Sequence, residues 1–270
     1  MGRLDIEFVR AFHEWMFHGA TLLLGLALVL YIVYLISVAG KPSLHDKYDF
    51  KAAYEIKRMK GVFFCIALFA FSVINLYGKE TWDETGTSKL AFFVRGFIAF
   101  AGATLVYYIS VLILDYYYPH RLNKSLNAIR TKPRINPKTG NKMRLLREDE
   151  EDVHLNEGMR AEEDIFSVDY DVWFDEQSGD TLIERYEGNK VALKCNNCGF
   201  DTMRVFKEEV LEKNAAGVPT QIVKHYQCAY CKNFRATAFN VSHKDANDLK
   251  NNLVRFKGNE SEKLYGQRTR

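Results

Sequence analysis

Charge is missing from three long stretches of this chain, and those gaps set the first limit on what it can be. No Lys, Arg, Asp or Glu occurs from Phe17 to Gly40, from Gly61 to Gly78, or from Gly96 to Leu114. Each gap approaches the ~20 residues that carry a helix across a bilayer core. They predict three transmembrane helices, near 19–39, 61–78 and 95–115. The first reads as an anchor and not as a cleaved signal, because Asp5, Glu7 and Glu14 precede it and no small-residue cleavage site follows. Also missing are a Walker phosphate loop, a Gly-rich dinucleotide turn and a GxSxG nucleophile elbow. No nucleophile and base pair stands out, so the expectation is a protein without catalytic machinery. Only five cysteines are present and none lies in the segments expected outside, which argues against a disulfide framework.

The basic residues orient the predicted spans. Lys41, Lys47, Lys51, Lys57, Arg58 and Lys60 follow the first, and Arg121, Lys124, Arg130, Lys132 and Arg134 follow the third. The other side holds Arg3, Arg10, Lys79, Lys89 and Arg95. The heavier basic side stays cytoplasmic, so the N-terminus is expected outside a bacterial cytoplasmic membrane and the C-terminal half inside. Residues 1–18 form an amphipathic segment that lies on the outer face or continues into the first helix. His13 and His18 flank Glu14 but point about 140° apart on a helix, so they read as interface residues and not as ligands. Arg95 opens the third apolar span and is expected to snorkel outward. In that span Gly96, Ala99, Gly102 and Ala103 form a small-residue face, expected to pack on a helix of another membrane subunit.

Beyond the region 19–118 with its three helices, the charge reverses twice. From His120 to Arg147 there are nine Lys or Arg and no acid, which reads as a basic juxtamembrane linker, 119–147. Its contacts with anionic lipid are assigned to Arg121, Lys124, Arg130, Lys132 and Arg134, at about 1 kcal/mol per residue. From Arg147 to Glu187 there are sixteen acids against three Arg, either a solvated face or a docking surface for a basic partner. Within this acidic segment, 148–190, Tyr170, Val172 and Phe174 alternate with Asp169, Asp171 and Asp175, and Ser178-Gly179-Asp180 supplies turn chemistry before Leu182 and Ile183. That pattern predicts a β-hairpin. Further strands are expected at 191–194, 203–206, 221–226 and 235–241, and a helix at 244–256 opens the polar tail, 242–270.

The strongest motif lies in 191–241, where Cys195-Asn196-Asn197-Cys198-Gly199 is matched by Cys228-Ala229-Tyr230-Cys231. Two residues between thiolates let both reach one ion from a tight knuckle, and two knuckles complete a tetrahedral S4 site. Gly199 suits the left-handed position that ends such a turn; at the second knuckle Asn233 is the expected substitute. The motif resembles a zinc ribbon. The stretch Leu155-Asn156-Glu157-Gly158, with Ser167-Val168-Asp169-Tyr170-Asp171-Val172-Trp173 and the knuckles, is similar to the ribbon segment of some bacterial membrane proteins of the TPM-domain family. That resemblance covers roughly residues 155–235 and implies a ribbon module, since the TPM domain itself is absent. Structural zinc is the first expectation for the metal, and iron, as in rubredoxins, is the alternative.

The fold expected is a three-helix α-helical membrane anchor followed by a small, mostly β cytoplasmic zinc-ribbon domain. The function expected is that of an accessory or scaffold subunit docking a cytoplasmic protein. A membrane-tethered iron electron carrier is the second reading. Nucleic-acid binding is the third, on fifteen Lys or Arg against eight acids from Gly188 onward.

Overall fold

Asp5, Ser43 and Ser88 each stand one residue ahead of a long helix, where a short side-chain oxygen accepts from a first-turn N–H. These caps start α1 (Ile6–Ala39), α2 (Leu44–Leu76) and α4 (Lys89–Leu112). At Ser43 the cap is reciprocal, since Asp46 N–H donates to Ser43 Oγ at 2.9 Å while the Asp46 carboxylate accepts from the Ser43 N–H. The short α3 (Lys79–Thr85) lies between α2 and α4, and α4 runs through a π-helical turn, Ile113–Tyr117, into α5 (Tyr118–Arg130). A computed structural model describes residues 2–188, 192–215 and 217–241. The chain divides after Lys132 into two compact units.

In the first unit, among the described residues, three helices are long and apolar enough to cross a membrane: Ile6–Ala39, Leu44–Leu76 and Lys89–Arg130. The helices outrun the charge-free gaps, because charged residues such as Lys47, Lys51 and Glu55 continue the α-helix beyond the apolar stretch of α2. The burial is inverted relative to a water-soluble bundle. Leu22, Ile36, Phe93 and Phe97 face outward with more than half of their surface exposed, whereas His13, Glu55, Ser72 and Asn75 are buried between helices. The amphipathic N-terminal segment is the first turns of α1 itself.

The small-residue face of α4 already has its partner inside the chain. Ala99 and Ala103 are buried, and a Cβ added at Gly102 would sit 2.8 Å from Ile74 Cδ1 of α2. Gly96 has nothing that close. Close approach needs small residues, and within the chain it is α2 that meets this face at Gly102.

The second unit holds two small antiparallel sheets. β1 (Arg144–Leu145), β2 (Val168–Phe174) and β3 (Thr181–Glu187) pair in the order 1-2-3, with α6 (Glu148–Glu151) and α7 (Glu157–Asp164) inserted between β1 and β2. β4 (Met203–Lys213), β5 (Pro219–Cys228) and β6 (Phe234–Asn240) pair in the order 4-5-6. The predicted acidic hairpin is β2–β3, in register from Val168↔Glu187 to Phe174↔Thr181. Its inward side joins Leu146 and Leu155 in a core with Val168, Tyr170 and Val172.

Glu162 ties the two sheets, accepting from the Tyr170 hydroxyl and, at 2.6 Å, from the Asp201 N–H. Gly158 lets Phe200 against α7, where an added Cβ would lie 2.1 Å from the ring. Residues 192–194 contribute one bridge, Leu193↔Met203, in place of the expected strand. The helix expected at 244–256 lies outside the described residues.

The segment read as a basic linker is folded along its length. Its first part is α5, and its last part joins the second unit. Arg134, expected at the membrane surface, is buried and forks onto Glu184 at 2.8 and 2.7 Å, beneath Trp173. A buried guanidinium needs a carboxylate, and the acidic stretch supplies one. Arg121, Lys124 and Lys132 are exposed and Arg130 is half-buried.

Candidate metal centre

Each cysteine pair sits on a turn that the backbone closes on itself. At the first, the Cys195 N–H donates to Phe200 O at 2.8 Å and the Gly199 N–H returns to Cys195 O at 2.9 Å. At the second, the Cys228 N–H donates to Asn233 O at 2.9 Å and the Lys232 N–H to Cys228 O at 3.2 Å. Gly199 has φ +81°, the left-handed conformation that a side chain opposes. At the second turn Lys232 itself takes that position, with φ 61°, and not the expected Asn233. The offset of four residues decides the position, and the closing hydrogen bonds hold a lysine there.

β4 leaves the first knuckle and β5 enters the second, with Met203 opposite Cys228, so the strand pairing brings the two turns together. All four sulfurs lie within 4.8 Å of one another. Cys195 Sγ is 3.6 Å from Cys231 Sγ, and Cys198 Sγ is 3.7 Å from Cys228 Sγ. The edge of a tetrahedron around an ion with metal–sulfur bonds of ~2.3 Å is about 3.8 Å, so the cage fits a four-coordinate ion. These separations far exceed the ~2.05 Å of a disulfide. Met203, Tyr226 and Val205 back the cage, which keeps water from its inner side.

The thiols are unequal. Burial pushes Cys198 up to about 12. Cys231 is held down to about 6 by the Asn197 side-chain amide, 3.5 Å from its sulfur, and by the Asn233 N–H. Cys195 is also lowered: burial opposes ionisation there, and N–H groups of Cys198 and Asn197 overcome it. Thr202, fully buried, brings its hydroxyl to 3.0 Å from Cys228 Sγ. Donors aimed at sulfur stabilise thiolates, the form that binds a metal. The four cysteines fit a zinc-ribbon-like site and could hold a metal ion.

Two polar clusters in the helical unit were hidden from the sequence. At one end His13 is fully buried, with Nδ1 2.6 Å from Asp83 Oδ1 and Nε2 2.9 Å from Arg95 Nη1. Arg95 also donates to Asn75 O at 2.9 Å and lies over the Trp82 ring. His13 is thus buried between helices with two partners, and the Arg95 guanidinium is held by His13, Asn75 and Trp82, so each meets a polar need that would be costly to leave unmet. His18 is exposed. At the other end Glu55 accepts from the Tyr34 and Tyr118 hydroxyls at 2.6 and 2.5 Å, with Lys51 3.3 Å away. Their partners are up to 82 residues apart, so no local pattern announces them.

Comparison with protein families, with curated proteins and with solved structures returns no match.

Proposed function

We propose that this protein is a membrane-anchored accessory subunit whose second unit is a zinc-held docking module in the cytoplasm. The observation that carries the reading is the four-thiolate cage: its ligand set is complete, leaving no coordination position for water or substrate. An ion held this way stabilises a fold. The inverted burial of the first unit supports the anchor, since outward leucines and phenylalanines and inward polar groups suit a hydrocarbon solvent. The basic side of the helices supports the orientation, N-terminus outside. The arms β4 and β5 extend beyond the cage and expose Phe206 and Leu211, which supports docking of a protein.

Metal analysis of the full chain in mild detergent tests the cage directly. One equivalent of zinc and a colourless protein are expected; a red protein with thiolate-to-iron absorption would replace the reading with an electron carrier. Cys195→Ser and Cys228→Ser are expected to abolish metal binding and to expose 192–241 to protease while leaving membrane insertion intact, because structural zinc supplies much of a ribbon's folding free energy. Unchanged protease resistance contradicts the structural role. For docking, shortening the β4–β5 arms is expected to remove specific companions that co-extract with the native chain. A companion set indifferent to the arms sinks that part.

A further inference from the structure

The two cysteine turns have two counterparts earlier in the same unit. Asn136-Pro137-Lys138-Thr139-Gly140 and Asp175-Glu176-Gln177-Ser178-Gly179 repeat the spacing of Cys195 to Gly199, with a polar residue at each cysteine position. The backbone repeats it too. The Asn136 N–H donates to Asn141 O at 2.8 Å and the Gly140 N–H to Asn136 O at 2.9 Å; the Asp175 N–H donates to Asp180 O at 2.9 Å and the Gly179 N–H to Asp175 O at 2.8 Å. These are the same donor and acceptor offsets as at Cys195 and Cys228, and Gly140 and Gly179 both have φ +76°.

The side chains follow the same rule. The N–H groups that point at sulfur in a metal knuckle here point at oxygen: Gln177 N to Asp175 Oδ1 at 3.0 Å, Lys138 N to Asn136 Oδ1 at 2.9 Å, and Asp180 N to Ser178 Oγ at 3.3 Å. The topology agrees, because β1 leaves the first turn, β2 enters the second with Arg144 opposite Phe174, and β3 completes the order 1-2-3, as β4, β5 and β6 do around the cage.

At the centre of this second arrangement stands a carboxylate oxygen. Asp175 Oδ2 accepts from Asn136 Nδ2 at 2.7 Å, Thr139 Oγ1 at 2.8 Å and Ser178 Oγ at 2.8 Å, so residues from all four ligand positions converge on one another. Asp175 and Asn136 are almost fully buried. An Asn amide that donates inward cannot also serve as a cation ligand through that atom, and the hydroxyl protons are likewise spent on the carboxylate.

We infer that the second unit is a tandem of two ribbons on one plan, and that in the first the Asp175 hydrogen-bond network does the fold-holding work that a metal does in the second. The consequence deepens the docking reading and rests on it: 133–188 is a platform that stays folded without metal, and only the ribbon 192–241 responds to metal loss. Metal occupancy thus controls the docking arms without dismantling their support.

Hydrogen exchange on the full chain in detergent, before and after treatment with a strong chelator, tests the division. Peptides in 134–145 and 172–183 are expected to keep their protection while those in 203–240 lose it. Loss in both regions together overturns the inference; retention in both overturns it as well, because the ribbon 192–241 would then not respond to metal, and it refutes the structural role of the metal proposed above.

The quadruple substitution N136C/T139C/D175C/S178C tests the shared plan. It is expected to raise bound zinc from one equivalent to two, and cobalt substitution should double the thiolate charge-transfer band. A soluble, folded variant that still binds one equivalent overturns the inference. Should that variant fail to fold, Asp175→Ala decides: protection at 134–145 must fall with metal content unchanged at one equivalent, and undiminished protection overturns the inference.

Discussion

Arg134 and Glu184 show how strongly one residue's role depends on what folds over it. Both are almost fully buried, and Tyr186 and Trp173 add hydrogen bonds to the same pair. Removing one partner strands a charge in a low-dielectric site, which costs about 3–5 kcal/mol. Glu184→Gln is expected to lower the denaturant midpoint of the second unit accordingly, read by hydrogen exchange at β2 and β3, with metal content unchanged. Gly158 carries the opposite risk, since a methyl group there meets the Phe200 ring. Gly158→Ala is expected to destabilise the junction of the two sheets by about 1–3 kcal/mol. Equal midpoints for variant and native chain would show that Phe200 can yield. Neither role was legible in the sequence, where Arg134 counted as one more basic residue and Gly158 only as part of a ribbon-like stretch.

At the scale of elements, α6 and α7 impose a pH dependence. Burial raises Glu151 on α6 and Glu163 on α7 to about 7, with neighbouring acids adding to the effect. The unfolded chain releases these protons near the ordinary carboxylate value of about 4.3. Between that value and about 7 the folded state binds more protons, so stability falls as pH rises across this window and levels off above it. Denaturant midpoints of the second unit are expected to be higher at pH 5 than at pH 8, and Glu151→Gln with Glu163→Gln should flatten the slope. A slope unchanged in that double variant would assign the dependence elsewhere. Asp175 works in the other direction, because its hydrogen bonds hold it well below the usual carboxylate range against burial, so its contribution is lost only below about pH 4.

For the whole molecule, the break after Lys132 separates four of the five basic residues assigned to lipid contact from the ribbons. Arg121, Lys124, Arg130 and Lys132 belong to the first unit and the buried Arg134 to the second. A protease site inserted between Lys132 and Pro133 is expected to release the second unit from membranes, with its zinc, and the released unit is expected to bind anionic vesicles weakly. Strong vesicle binding by that fragment would return the lipid contact to residues beyond Lys132.

Periodicity and local spacing determined much on their own. Three charge-free runs, an alternating hairpin and two CxxC pairs are statements about neighbours in the chain, and helices, strands and knuckles are built from neighbours. The four thiols could be grouped because their chemistry admits few other uses at that spacing. What only the tertiary structure decided depends on partners distant in sequence: which helix meets the small face of α4, that His13 bridges Asp83 and Arg95, and that Glu55 gathers two tyrosines. The metal-free ribbon marks the boundary between the two. Its spacing was present in the sequence, but asparagine, threonine, aspartate and serine are common turn residues for many reasons. Only their convergence on a single carboxylate oxygen distinguishes a ribbon from an ordinary pair of turns.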